Sequence, residues 1–259
     1  MARAATGPAG FRNLMNEGLL IAMLGWWLGG FINNIVGFGA ALVALPVVAL
    51  GNDMAVAVPS SGLIVLALNV QMAWNYRRHL GEGIGVGPLI AGGLPGALAG
   101  VLMLRHIPDA GLRLGLGGVL MAYALWGLLC AKPGRRPLHR AWGGVAGFFS
   151  TSLGTAYGIN GPSLAIYLSF RGGTPQETKA ALGVFFIVSG TIIVAAQTLA
   201  GVQSAETLLQ FAASLPSVIL GGWAGIALSR RLPDGNLHGA LFLMLLVMGA
   251  NLARQGLGG

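Results

Sequence analysis

Charge is what this chain has least of. Only 8% of its 259 residues are Asp, Glu, Lys or Arg, against about 25% in a soluble domain. With 55% hydrophobic residues and a mean hydropathy of +0.75, most of the chain must lie in lipid, so the expected fold is an all-α integral membrane protein. A single cysteine, Cys130, excludes an intrachain disulfide. The seven acidic residues (Glu17, Asp53, Glu82, Asp109, Glu177, Glu206, Asp234) all fall at the ends of apolar runs or between them, and so do the four histidines. No metal-ligand cluster, Walker A loop or Gly-x-Ser-x-Gly elbow is present, so no metal or cofactor is expected and direct ATP drive by this chain is excluded. Residues 1–17 are short and weakly basic, with no small-residue cleavage site, and are not read as a cleaved signal peptide. The net charge of +8 does not imply a nucleic-acid partner, because the bases sit between apolar runs, where they set orientation in the membrane.

What is abundant is long apolar sequence and glycine, with 44 glycines. Eight stretches are free of Asp, Glu, Lys and Arg: 18–52, 54–76, 83–104, 114–131, 141–170, 180–205, 207–229 and 235–253. A spanning helix needs about 20 apolar residues. Six stretches fit one span; the first, with 35 residues, and the fifth, with 30, do not. A continuous helix through the first would be about 52 Å long, at about 1.5 Å per residue, against a hydrocarbon core of roughly 30 Å. These two stretches must break, tilt or double back. In the first, the break is placed at Gly37 and Gly39, since glycine tolerates the turn. The freed backbone groups then need a buried or cavity-lining position.

Overlong stretches in first and fifth place suggest two repeats of four segments, 18–131 and 141–254, joined by a basic linker at 132–140. Residues 96–119 align without gaps on 221–244, with 8 of 24 positions identical, including a shared Arg-x-x-Pro-Asp. That is an offset of 125; an offset of 121 sets Gly37-Phe38-Gly39 on Gly158-Ile159-Asn160. The linker, KPGRRPLHR, carries four Lys and Arg and no acid, and is expected in the cytoplasm of a cell-membrane protein. If the broken segments cross fully, the N-terminus is cytoplasmic and Lys plus Arg divide 9 against 6 between the two sides. If both are re-entrant hairpins, they divide 10 against 5, the N-terminus is outside, and the repeats are inverted. The charge rule leans toward hairpins without deciding between them.

The breaks are where chemistry is expected. A half-helix that starts after a break directs free N–H groups and a partial positive charge into the protein, an anion site without a charged side chain. The candidates are the half-helix after Gly39, running toward Pro46, and the one after Gly161, with Pro162 in its first turn. Candidate substrate-binding residues are Asn33, Asn34, Gly37, Gly39, Ser60, Ser61, Ser152, Gly158, Asn160 and Gly161. Thr155 and Tyr157 could add hydrogen bonds. Two such ends converging from two repeats would form a site near the membrane midplane. Asn69, Gln71, Asn75, Ser189, Thr191 and Gln197 are the other polar residues within spans; packing between helices or bonding to their own backbone accounts for them equally well. Arg105, Arg113, Arg230 and Arg231 are read first as interface anchors, and the Gly92-x-x-x-Gly96-x-x-x-Gly100 and Gly221-x-x-x-Gly225 ridges as helix packing.

Gly30-Phe31-x5-Gly37-Phe38-Gly39-x6-Pro46 resembles the first-repeat signature of the TauE/SafE sulfite exporter family, also called the toluene sulfonate uptake permease family. Gly147-Phe148-Phe149-Ser150 through Gly158-Ile159-Asn160-Gly161-Pro162 resembles its second. The chain departs from the family at Ala40 or Ala41, where a third glycine is usual, and at Thr155-Ala156-Tyr157, which lengthen the second signature. The resemblance covers essentially the whole chain and implies a transporter of sulfite, sulfonates or other small anions. An exporter of an anion needs no coupled proton when the cell interior is negative, which suits a chain without an intramembrane acid. The partners expected are therefore a small anion and the lipid bilayer, with a homodimer left open. The alternatives are a passive anion channel, an intramembrane enzyme built on His238 and a buried serine, or a scaffold subunit whose breaks are filled by side chains.

Overall fold

The computed structural model describes residues 8–36, 39–76, 86–129, 138–171, 175–229 and 237–258. Among them the chain forms ten helices and no strand. The first long apolar stretch contributes α1 (Pro8–Val36) and α2 (Ala40–Val48). It is followed by α3 (Met54–Tyr76), α4 (Gly87–His106) and α5 (Asp109–Leu129). The fifth stretch contributes α6 (Trp142–Tyr157) and α7 (Gly161–Arg171), followed by α8 (Pro175–Leu199), α9 (Ala205–Ser229) and α10 (Leu237–Leu257). Among the described residues four apolar segments are long enough to cross a bilayer: 87–106, 109–129, 181–199 and 205–225. Of the linker 132–140, residues 132–137 lie outside the described residues, as do Gly37 and Phe38.

Both overlong stretches break and turn back. A Cβ on Gly29 would come to 2.6 Å from Ala40 O, one on Gly25 to 3.0 Å from Ala44 O and one on Gly18 to 2.9 Å from Gly51 O. Residue numbers fall on α1 as they rise on α2, so the two are antiparallel. Asn52 closes the hairpin by donating Nδ2 to Gly18 O at 2.9 Å and to Val48 O at 3.0 Å. In the second stretch Ser150 Oγ donates to Asn160 O, and a Cβ on Gly143 would lie 3.2 Å from the Tyr167 hydroxyl. Thus α7 runs back along α6. The turn at each break is made by a glycine in the left-handed region, Gly39 at φ 96° and Gly158 at φ 70°, a conformation that costs an L-residue about 1–2 kcal/mol.

Around the hairpins, α1 packs on α9, α6 on α4, α5 on α10 and α3 on α8. The α9–α1 and α6–α4 interfaces are set by glycines lying against backbone carbonyls. On α9, a Cβ at Gly221 would overlap Trp27 O and one at Gly225 would overlap Phe31 O. On α4, a Cβ at Gly96 would overlap Phe148 O and one at Gly100 would lie 2.6 Å from Ser152 O. Gly96 and Gly221 are 125 residues apart, while Trp27 and Phe148 are 121 apart. The backbones approach this closely because lipid tails are as apolar as leucine, so van der Waals contact between small residues holds the helices together. The other faces of these helices carry exposed Leu94, Leu98, Leu102, Leu220 and Trp223, as a lipid-facing surface requires.

One polar cluster ties the α2 end of the first hairpin to the bundle. Arg113 on α5 donates Nε to Asp109 Oδ2 at 2.5 Å, Nη2 to Asn52 O at 3.0 Å and Nη1 to Gln255 Oε1 at 3.1 Å and to Ala49 O. Asp109 Oδ1 in turn accepts the Met54 N–H at the start of α3, at 2.7 Å. Gln210 on α9 donates Nε2 to Asn52 Oδ1 at 2.8 Å and accepts Ser60 Oγ at 2.5 Å. Arg113 is therefore built into the protein as the positive cap on the carbonyl end of α2.

Replacing Gly221 with Ala should force α9 off α1 and lower stability by about 1–3 kcal/mol, read as a fall in melting temperature in detergent. Gly118→Ala, where a Cβ meets nothing within 4 Å, should be neutral or slightly stabilising. Arg113→Ala should cost about 2–3 kcal/mol, the scale of lost hydrogen bonds to a charged group, and Arg113→Lys should restore only part of it because it lacks the planar fork.

Candidate functional site

The two breaks meet. A small cavity is lined by Asn33, Gly39, Ala40, Ala41 and Leu42 from the first break. Ile159, Asn160 and Gly161 line it from the second, and Val65, Leu68, Asn69 and Phe186 come from α3 and α8. Those two helices cross close to the cavity, where Gly190 lies against Leu66, roughly midway along each helix.

Helix geometry decides which groups face this space. The first intrahelical bond of α2 runs from Val43 N–H to Gly39 O at 3.4 Å, so the N–H groups of Ala40, Ala41 and Leu42 have no acceptor within the helix. Asn33 Oδ1 accepts the Ala40 N–H at 3.2 Å. This contact caps α2 from seven residues upstream and leaves the Asn33 NH₂ as a donor. At the second break Asn160 is the residue before α7, a favoured capping type, and is 7% exposed. Pro162 in the first turn has no N–H to satisfy. Asn69, also 7% exposed, keeps its Nδ2 buried without a hydrogen-bond acceptor among the described residues. Among the described residues no charged side chain lines the cavity. The lining thus combines uncharged N–H donors and two helix N-termini with the apolar side chains of Leu42, Val65, Leu68, Ile159 and Phe186. Such a site can hold a small anion by hydrogen bonds and dipoles alone.

Of the residues singled out in the sequence, Asn33, Gly39, Asn160 and Gly161 line the cavity. Ser60, Ser61, Ser152 and Gly158 are buried but are not among its lining. Ser60 belongs to the Gln210–Asn52 cluster. Ser61 Oγ donates to Val58 O at 2.6 Å and sits where a Cβ on Gly158 would fall, so it packs behind the second turn. Gly37 and the side chain of Asn34 lie outside the described residues. Asn69, named in the sequence only as one of several polar residues within spans that could line a pathway, does line the cavity, and so does Phe186, which nothing in its local pattern marks. Gln197 donates Nε2 to Thr155 O at 3.1 Å, the bond between helices expected of it. Among the described residues no group of His, Cys, Asp and Glu is placed to hold a metal; the side chain of His238 lies outside them.

Comparison with known proteins agrees with this architecture. The profile of the family described as Sulfite exporter TauE/SafE matches residues 22–252. The chain is 25% identical, over 248 residues, to a protein of Cupriavidus necator named as a probable sulfite/organosulfonate exporter TauE; the match covers 92% of this chain and 96% of that one. No solved structure matches it at a significant level. The helical membrane architecture and a match over nearly the whole length place the protein among transporters rather than enzymes: the chain belongs to the TauE/SafE sulfite exporter family.

Proposed function

We propose that the protein exports a small sulfur-containing anion, sulfite or an organosulfonate, across the cell membrane. The anion is held between the N-termini of α2 and α7 and exposed alternately to the two sides as the halves 18–131 and 141–254 rock about the α3–α8 crossing. The observation that carries this reading is the convergence of both breaks on one uncharged, donor-rich cavity. The name of the Cupriavidus necator relative supplies the substrate class. Equivalent glycine–carbonyl contacts at offsets of 125 and 121 support a two-fold relation between the halves. Because both overlong stretches are hairpins, the Lys and Arg count divides 10 against 5. The positive-inside rule then favours inverted repeats, with the 132–140 linker in the cytoplasm and the ends of α5 and α9 at Asp109 and Glu206 outside. An interior-negative potential favours anion exit by about 2.3 kcal/mol per charge per 100 mV, so the export direction needs no carboxylate relay, and none lines the cavity.

In proteoliposomes loaded with methanesulfonate or sulfite, efflux should rise with an inside-negative potassium-diffusion potential. Asn69→Leu should lower it roughly tenfold or more, since a hydrogen bond to a charged partner is worth about 1.5–3 kcal/mol. Thr191→Val, which alters a hydroxyl bonded to its own helix at Ile187 O, should leave it unchanged. Absence of flux of either anion from folded protein removes the reading; full flux in Asn69→Leu moves the site elsewhere. Orientation is checked in intact cells with a membrane-impermeant maleimide on a Cys130→Ser background. Glu206→Cys should label from outside and His139→Cys only after permeabilisation; the reverse pattern inverts the topology.

A further inference from the structure

The cavity fixes the charge state of its ligand as well as its class. Two helix N-termini open onto it, that of α2 with nine residues and that of α7 with eleven. Each is equivalent to about half a positive elementary charge, so together they offset about one negative charge. Asn69 adds an independent sign that a ligand is expected: it lines the cavity, is 7% exposed, and its Nδ2 has no acceptor among the described residues. An amide donor neutralises no net charge, however, and the described lining contains no Lys, Arg or His to compensate a second one. In sequence the charged residues nearest the lining are Lys179, seven positions before Phe186, Arg77, eight positions after Asn69, Arg171, ten positions after Gly161, and Asp53, twelve positions before Val65. At about 1.5 Å per residue, Lys179 on α8 and Arg171 on α7 are at least about 10 Å along their helices from those lining residues.

A second uncompensated charge at this depth would carry the desolvation penalty of a buried ion. We infer that the site accepts monoanions and rejects dianions. Sulfite is then carried as bisulfite, HSO₃⁻, with its proton attached, and a sulfonate, R–SO₃⁻, binds in the same charge state with R against Val65, Leu68 and Phe186. This inference rests on the proposed sulfur-anion transport, and it adds a proton balance. Each bisulfite exported removes one proton and one negative charge from the inner compartment, and the proton is released outside when bisulfite re-equilibrates to sulfite.

The test is a pH profile of flux in proteoliposomes, with equal pH on both sides and flux counted above protein-free vesicles. Methanesulfonate is a monoanion throughout, whereas the bisulfite fraction falls about tenfold for each pH unit above its own pKa. At fixed total sulfite below saturation, sulfite flux should therefore fall about tenfold per unit on the alkaline side while methanesulfonate flux stays level. The charge moved per sulfur should stay at one for both. Sulfite flux that holds or rises with pH, or a ratio of two charges per sulfur, with methanesulfonate flux intact, overturns the monoanion inference and leaves the transport reading standing. Loss of both fluxes from folded protein overturns the two together. In Asn69→Lys the added charge should flatten the decline of sulfite flux with pH; an unchanged slope, with the protein folded and methanesulfonate still carried, would also overturn it.

Discussion

A backbone group in the middle of a bilayer has no water to bond with, and the rest of this structure follows from how two interrupted helices meet that requirement. Interrupting a helix at membrane depth strips partners from N–H and C=O groups, each worth several kcal/mol in hydrocarbon. At the first break Asn33 takes the Ala40 N–H, and at the other end of α2 Arg113 and Asn52 cover the carbonyl side. At the second, Ser150 binds Asn160 O and Pro162 removes a donor that would need a partner. Among the described residues the buried side-chain donor left unpaired at the cavity is Asn69 Nδ2, which an anion can satisfy.

Close packing makes this arrangement rigid enough to hold. Glycines set against carbonyl oxygens of Trp27, Phe31 and Phe148 lock each hairpin's long helix to a neighbour from the other half of the chain. The hairpins are therefore supported from outside, and the α3–α8 crossing is left as the contact near the cavity. The Arg113 cluster plays the same part at one end of the bundle, joining α2, α3, α5 and α10, with Asn52 and Gln210 extending it to α9. A charged residue here serves architecture, and the cavity is left to uncharged donors.

The membrane class, the two overlong stretches, a first break at Gly37 and Gly39, a second before the half-helix that follows Gly161, and four of the cavity residues were legible in the sequence; that the second turn is made at Gly158 was not. Each legible feature depends on local chemistry: length against bilayer thickness, or glycine where a helix must turn. Whether the long stretches crossed or doubled back was not legible, because a charge division of 10 against 5 barely differs from 9 against 6. Only the pairing of Gly18 with Gly51 and of Gly143 with Tyr167 across the hairpins decided it. Ser60 and Ser61 followed the first break in sequence, yet their hydroxyls turn to Gln210 and Val58; Ser60 is on another face of α3, while Ser61 shares the face of Val65 and Leu68 but lies a turn earlier, packed against Gly158.

By itself the sequence determined what the backbone must do: lie in lipid, break twice, and bring small polar residues to each break, because these are consequences of composition and length. The tertiary structure alone decided which groups share the cavity. Asn69 and Phe186 sit on different helices far from either break in sequence, and only the crossing of α3 with α8 brings them to the two helix N-termini. Arg113 likewise reads as a lone interface charge until the fold places Ala49 O, Asn52 O and Gln255 within its reach. Contacts of that kind depend on the angles at which distant helices cross, and no local pattern encodes those angles.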